Sequence, residues 1–157
     1  MVKVSDEHFT MFVMPEFVTP DKYIYSVDDE YNGVVIRGEC YDRQFMFGKG
    51  AGSLPTASSI LSDIMARQHD YRYEYKKQNY LQLPEYTTDI PLRIYVRYSE
   101  TNIPHILDFE KIHEEYYCAE SSYVIGDVTL AELLRKREQL NGHDVFMANI
   151  PLFFQNN

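Results

Sequence analysis

At Gly48 the hydrophobic period of the chain changes. Upstream, "YDRQFMFG" (41–48) places Tyr41, Arg43, Phe45 and Phe47 at alternate positions, the period of a strand. Downstream, Ala57, Ile60, Leu61, Ile64 and Met65 recur at i, i+3, i+4, i+7 and i+8, one face of an amphipathic helix. Between them lie three alternate glycines, Gly48, Gly50 and Gly52, then Pro55. Pro55 suits a first helical turn, where a missing N–H is harmless, and Ser53 is the expected N-cap. A strand therefore runs through a glycine loop into a helix. Such a loop presents free backbone N–H groups and a partial positive charge, which suits the negative or polar end of a ligand. It serves equally well as a tight crossover that needs positive φ. The spacing G-x-G-x-G is neither the G-x-G-x-x-G of a dinucleotide fingerprint nor a P-loop, which would close with Gly-Lys-Ser/Thr. Lys49 reads as a solvated loop lysine, with a phosphate contact as the alternative.

The remaining pattern predicts an α+β fold. "HFTMFVMPEFV" (8–18) reads as a strand ending near Pro15. Residues 34–47 read as a strand pair turning around Gly38 to Asp42. "YRYEYKKQNYLQLPEYTTDIP" (71–91) is polar, carries two prolines and reads as a crossing linker. Its alternating Tyr71, Tyr73 and Tyr75 suggest a packed extended segment, with base stacking as the alternative. Beyond it come a strand at 91–99, a weak helix at 103–112, a hairpin of 115–121 with 122–128, a helix at 129–142 and a strand at 143–151. Thr129 with Glu132 forms a capping-box pattern, and Asn141-Gly142 marks the helix end. The order β–(α)–β–β–α–β is ferredoxin-like.

Composition narrows the function classes. The 157 residues suit one domain or two small ones, and the net charge of −9 argues against nucleic-acid binding, which selects basic surfaces. The acidic residues concentrated between Glu100 and Asp127 read as a solvated face. No apolar run approaches the ~20 residues of a membrane helix, and the start lacks a signal-peptide apolar region, so a cytoplasmic location is expected. Cys40 and Cys118 form no metal or CxxC pattern and are expected to be buried thiols. His105, Asp108 and His113 have poor metal-ligand spacing, and no metal is expected. His69-Asp70 at a helix end is explained by the helix dipole.

The stretch "FGKGAGSLPTASSILSDI" (47–64) resembles the signature near the end of the catalytic domain of homoserine dehydrogenase, met here by Gly48, Gly50, Ala51, Gly52, Pro55, Thr56, Ala57, Ser58, Asp63 and Ile64. "FVMPEFV" (12–18) and "YIYSVDDEYNGVVIRGE" (23–39) are also similar to that family, so the resemblance covers roughly residues 7 to 68. It implies a C-terminal portion of an enzyme that interconverts homoserine and aspartate semialdehyde with NAD(P), in the biosynthesis of threonine and methionine. On that resemblance residues 1–70 end the catalytic and dimerisation domain, 71–90 are a linker, and 91–157 form a degenerate ACT-like domain. Gly50, Gly52 and Thr56 would be cofactor-binding residues near the nicotinamide. The nucleotide-binding domain and the acid/base lysines of the family have no match in this chain, so no catalytic residue is assigned and the chain alone is expected to be inactive. A homodimer, the family's N-terminal nucleotide-binding domain and an amino-acid effector are the implied partners. The departure "SETNIPHIL" (99–107), where an ACT domain has Asp-x-Pro-Gly, bears on effector binding. The rival readings are a stand-alone ACT-like binding or regulatory module and a pure dimerisation scaffold.

Overall fold

The computed structural model describes residues 2–4, 7–38, 40–71, 84–100 and 103–151. Tyr73, Tyr75 and most of the expected linker lie outside the described residues. The chain divides into two compact units, one of residues 18–80 and one that joins 1–17 to 81–157.

The 18–80 unit is a hairpin and a helix. Strands β3 (Tyr31–Gly38) and β4 (Tyr41–Lys49) pair antiparallel, from Tyr31 opposite Lys49 to Val35 opposite Phe45, with an irregularity between Ile36 and Gly38. The turn falls within the expected Gly38 to Asp42. Aromatic rings cover one face: Tyr31 stacks on Phe47 at 4.8 Å, and Tyr23, from a short 3-10 turn, stacks on Phe45 at 5.6 Å. Val34, Ile36 and Met46 stay exposed. Helix α1 (Ser53–Gln68) follows the glycine loop. Its N-cap is Gly52 and not Ser53, because the extended, positive-φ residue that precedes the first helical turn is the glycine (φ 112, ψ 162), and no side chain caps it. The predicted apolar stripe is there, yet no residue of α1 is buried.

The second unit holds the core. Strands β6 (Pro91–Tyr98), β7 (Lys111–Tyr116), β8 (Ser122–Thr129) and β9 (Val145–Asn149) form an antiparallel sheet ordered β7-β8-β6-β9. That is the ferredoxin-like order, as expected. Strict alternation along β6 sends Leu92, Ile94, Val96 and Tyr98 inward, all buried. They pack with Val124, Val128, Ile103 and Leu107, and with Leu130 and Leu140 of helix α2 (Leu130–Leu140). Thr129 caps α2 by accepting from the Glu132 N–H at 3.1 Å. The other half of a capping box is not made: Glu132 Oε1 accepts from the Asp108 N–H and Oε2 from Arg135.

Several expectations need correction. The 8–18 strand is only β2 (His8–Met11), which pairs with β1 (Val2–Val4) and, in parallel, with β5 (Glu85–Tyr86). Residues 12–17 run instead beside β9, where the Phe17 N–H donates to Asn149 O at 3.1 Å, the Asn149 N–H to Pro15 O at 2.8 Å and Asn149 Nδ2 to Glu16 at 2.9 Å. The helix expected at 103–112 is a three-residue 3-10 turn, Ile103–His105. Pro104 removes a donor in so short a segment, and Ile103 and Leu107 reach the core without a full helix. Strand β7 consequently begins at Lys111, four residues before the expected 115. Both cysteines are exposed: Cys40 lies in the β3–β4 turn and Cys118 in the connection after β7, where no second layer covers them.

Thr10 is buried and its hydroxyl has no hydrogen-bond partner. Thr10→Val keeps the shape and removes the unsatisfied group, so it should stabilise the protein by about 1 kcal/mol. A denaturant melt of the variant beside the parent checks this.

Candidate functional site

The three glycines of the loop meet different demands. At Gly48 a Cβ would find open space, so nothing nearby requires the glycine. At Gly50 a Cβ would overlap the side-chain amide of Asn32, and the Gly50 N–H donates to Glu30 O at 3.2 Å. Gly52 has φ +112, a conformation that L side chains rarely adopt. The loop is thus pinned to the start of β3 at Gly50 and turned into α1 at Gly52.

Lys49 is not a free loop lysine. Its Nζ lies 2.5 Å from Glu30 Oε1 and 5.2 Å from the centre of the Tyr31 ring. The ammonium holds the Glu30 carboxyl below the usual carboxylate range. Thr56 makes two bonds to one acceptor: its N–H reaches Gly52 O at 3.2 Å and its hydroxyl donates to the same oxygen at 2.9 Å. Gly50, Gly52 and Thr56 are all exposed. Gly52 carries no Cβ, Pro55 has no N–H, and the first turn of α1 keeps its positive dipole end. The surface accepts a flat, polar group at close range. The sequence motif brings Gly50, Gly52 and Thr56 into one turn, as expected.

A second cluster escaped the sequence reading. Arg93 on β6 donates to both oxygens of Asp127 on β8 at 2.8 and 3.2 Å, and His113 Nε2 lies 2.6 Å from Asp127 Oδ2. The signal was register: Arg93 and Asp127 stand directly opposite across the antiparallel pair, on the face away from Ile94. His113 reaches them from the irregularity in β7. Arg93 first, then His113, hold the Asp127 carboxyl below its usual range against some burial. Asp127 therefore belongs to a partly buried ion pair rather than to a solvated acidic face. Asp108, also expected on that face, pairs with Arg135 at 2.9 Å. Among the described residues no group of three or more His, Cys, Asp or Glu could hold a metal ion. Nor is any described helix long and apolar enough to cross a membrane.

A hairpin leading through a glycine loop into a helix, with a ferredoxin-like unit beside it in the chain, points to an oxidoreductase class. Residues 1–65 match the sequence model of the family described as homoserine dehydrogenase. Over 61 residues the chain is 36% identical to the homoserine dehydrogenase of Synechocystis sp., covering 39% of this chain and 14% of the relative. The Bacillus subtilis enzyme is 35% identical over 60 residues, 38% of this chain and 14% of the relative. That of Mycobacterium leprae is 32% identical over 99 residues, 60% of this chain and 22% of the relative. Over its matched segment the chain belongs to the homoserine dehydrogenase family. The fold is also similar to a solved homoserine dehydrogenase from Thiobacillus denitrificans, with a TM-score of 0.61 at 17% identity, across 96% of this chain and 41% of that one. The chain thus spans only about a seventh to a fifth of the curated relatives' length, on the 14% and 22% covered.

Because Asp127 titrates below its unfolded value, its contribution to stability is present above the unfolded pKa, near ~4, and is lost as pH falls through the lower folded value. Asp127→Asn, which keeps the shape but not the charge, should cost about 1–2 kcal/mol at neutral pH, with the deficit shrinking below pH ~4. Melting curves of both proteins across that range read this out. In the native protein, a thiol reagent should label both Cys40 and Cys118 without denaturant, and two thiols per chain is the expected titration.

Proposed function

We propose that this chain is the C-terminal segment of a homoserine dehydrogenase, an enzyme that interconverts homoserine and aspartate semialdehyde in amino-acid biosynthesis leading to threonine and methionine. The observation that carries the reading is the glycine signature folded as a positive-φ turn at Gly52 into the N-terminus of α1. In this reading Gly50, Gly52 and Thr56 form one wall of an NAD(P) site. The cofactor's nicotinamide supplies the hydride acceptor or donor. Gly52 lets the backbone come close to its ring, and the first-turn amides offer donors to its polar substituents. The hydroxyl proton of Thr56 is already given to Gly52 O, so its oxygen faces a ligand as an acceptor, suited to an amide N–H. Lys49 is held by Glu30 and by the Tyr31 ring, which orients the loop rather than leaving a cation for phosphate.

The rest of the reading is of the same kind. The family's nucleotide-binding domain supplies the cofactor fold and the acid/base lysines, a pair of copies forms the dimer, and the site of action is the cytoplasm. The domain reading places the end of the catalytic domain at 1–70, a linker at 71–90 and an ACT-like domain at 91–157. The sheet order β7-β8-β6-β9 supports an ACT-like regulatory unit, and for the same reason favours the second reading, a stand-alone ACT-like module that binds an amino acid without catalysis.

The purified 157-residue chain should give no turnover of aspartate semialdehyde above a no-enzyme control. In an enzyme that contains this segment, Gly52→Val should impair cofactor binding and destabilise by about 1–3 kcal/mol through backbone strain. Thr56→Val should keep the melting temperature within a few degrees and lower kcat/KM by two- to tenfold, about the worth of one hydrogen bond. Unchanged kinetics in Thr56→Val with unchanged melting would leave the loop as a crossover alone.

A further inference from the structure

The stripe of α1 has no cover. Leu54 is 82% exposed, Leu61 60%, Ile64 58%, Ile60 56% and Met65 46%. A sixteen-residue helix is marginal in water on propensity alone, and helices in proteins hold through an apolar face that packs on something. This one packs its stripe on none of the described residues. Large apolar residues this contiguous on a soluble surface mark an interaction site.

The place of the stripe selects its occupant. Leu54 stands two residues after Gly52, so whatever covers the stripe adjoins the glycine loop. Under the reading above, which this inference rests on, the loop faces the nicotinamide. The body that holds the rest of the cofactor must then lie beside it. The chain contains no dinucleotide fingerprint, and its fold covers only 41% of the similar solved dehydrogenase, which leaves more than half of that protein for such a body. A second copy of α1 on the stripe would instead put a helix where the cofactor has to be approached. We propose that the apolar stripe of α1, from Leu54 to Met65, is the docking surface for the nucleotide-binding domain of the dehydrogenase, whether on the same polypeptide or on another.

The test mixes the full 157-residue chain with the Bacillus subtilis homoserine dehydrogenase truncated just before its glycine signature. Titration calorimetry and sedimentation measure the complex. Leu61→Asp and, independently, Ile64→Lys alter the stripe. Val13→Asp, at a fully exposed position outside it, is the control. Circular dichroism checks that each variant keeps the parent's folded content. The expected result is a saturable one-to-one complex with the parent and with Val13→Asp, weakened at least ~tenfold by each stripe variant, the loss typical of a central interface residue. Three results would overturn the proposal: no complex with the parent, equal affinity in the stripe variants, or a self-association of the parent that depends on Leu61 and excludes the truncated enzyme. The catalytic reading is judged separately. A stripe-dependent complex with no homoserine-dependent NAD(P) reduction sinks the catalysis and keeps the docking. Restored turnover that is indifferent to Leu61→Asp does the reverse.

Discussion

Strand β6 is the member on which the ferredoxin-like unit depends. It is paired on both sides, with β8 along its whole length and with β9 along its second half. Its alternate residues Leu92, Ile94, Val96 and Tyr98 all enter the core, and Ile94 and Val96 are at most 1% exposed. A strand so placed satisfies its backbone groups through two neighbours and sends one full face inward, so a slip of one residue would turn the core outward. The opposite face has its own logic. Arg93 is locked to Asp127, Tyr95 packs on Tyr123 at 5.2 Å, and Arg97 lies over the ring of Phe146. Charge pairing and ring contacts make that exposed face specific without burying it.

The 18–80 unit is organised by a different constraint. It has a paired hairpin with one aromatic face, and a helix that presents its stripe to solvent. Its order comes from backbone geometry at the glycine loop and from the Tyr31, Phe47 and Lys49 group around the start of β3. It has no buried hydrophobic cluster comparable to the one around Ile94. The two units therefore differ in kind: one is closed around its own core, and the other offers surfaces.

Much of this was legible in the sequence where a local rule applied. Period-2 alternation located β6, β4 and β8, period 3.6 located α1 and α2, and Thr129 marked the start of α2. The glycine signature placed Gly50, Gly52 and Thr56 in one turn before any coordinates. What escaped had non-local causes. Whether Phe12, Met14 and Phe17 form a strand depends on β9, more than 130 residues away, as the Asn149–Glu16 bond shows. The failed helix at 103–112 was apolar enough, but the twelve residues between β6 and β7 had to return to the sheet, and a compact turn did so. The Arg93–Asp127–His113 group needed a register that no single segment states. The cysteines were misjudged because composition predicts the average burial of a residue type, and both sit in connections.

The core-bearing unit is discontinuous along the chain. It opens with residues 1–17, departs through 18–80, and closes with 81–157. The 12–17 segment is part of its structure, because the Pro15, Glu16 and Phe17 backbone or side chains all bond to Asn149, itself only 3% exposed. Such a unit does not behave like a bead threaded at the end of a string. Recombination that grafts a new tail at residue 90 would leave the old edge segment behind, paired to nothing. For this architecture, the smallest exchangeable cassette has two pieces cut from opposite ends of the gene, and tail and front segment are bound to diverge together.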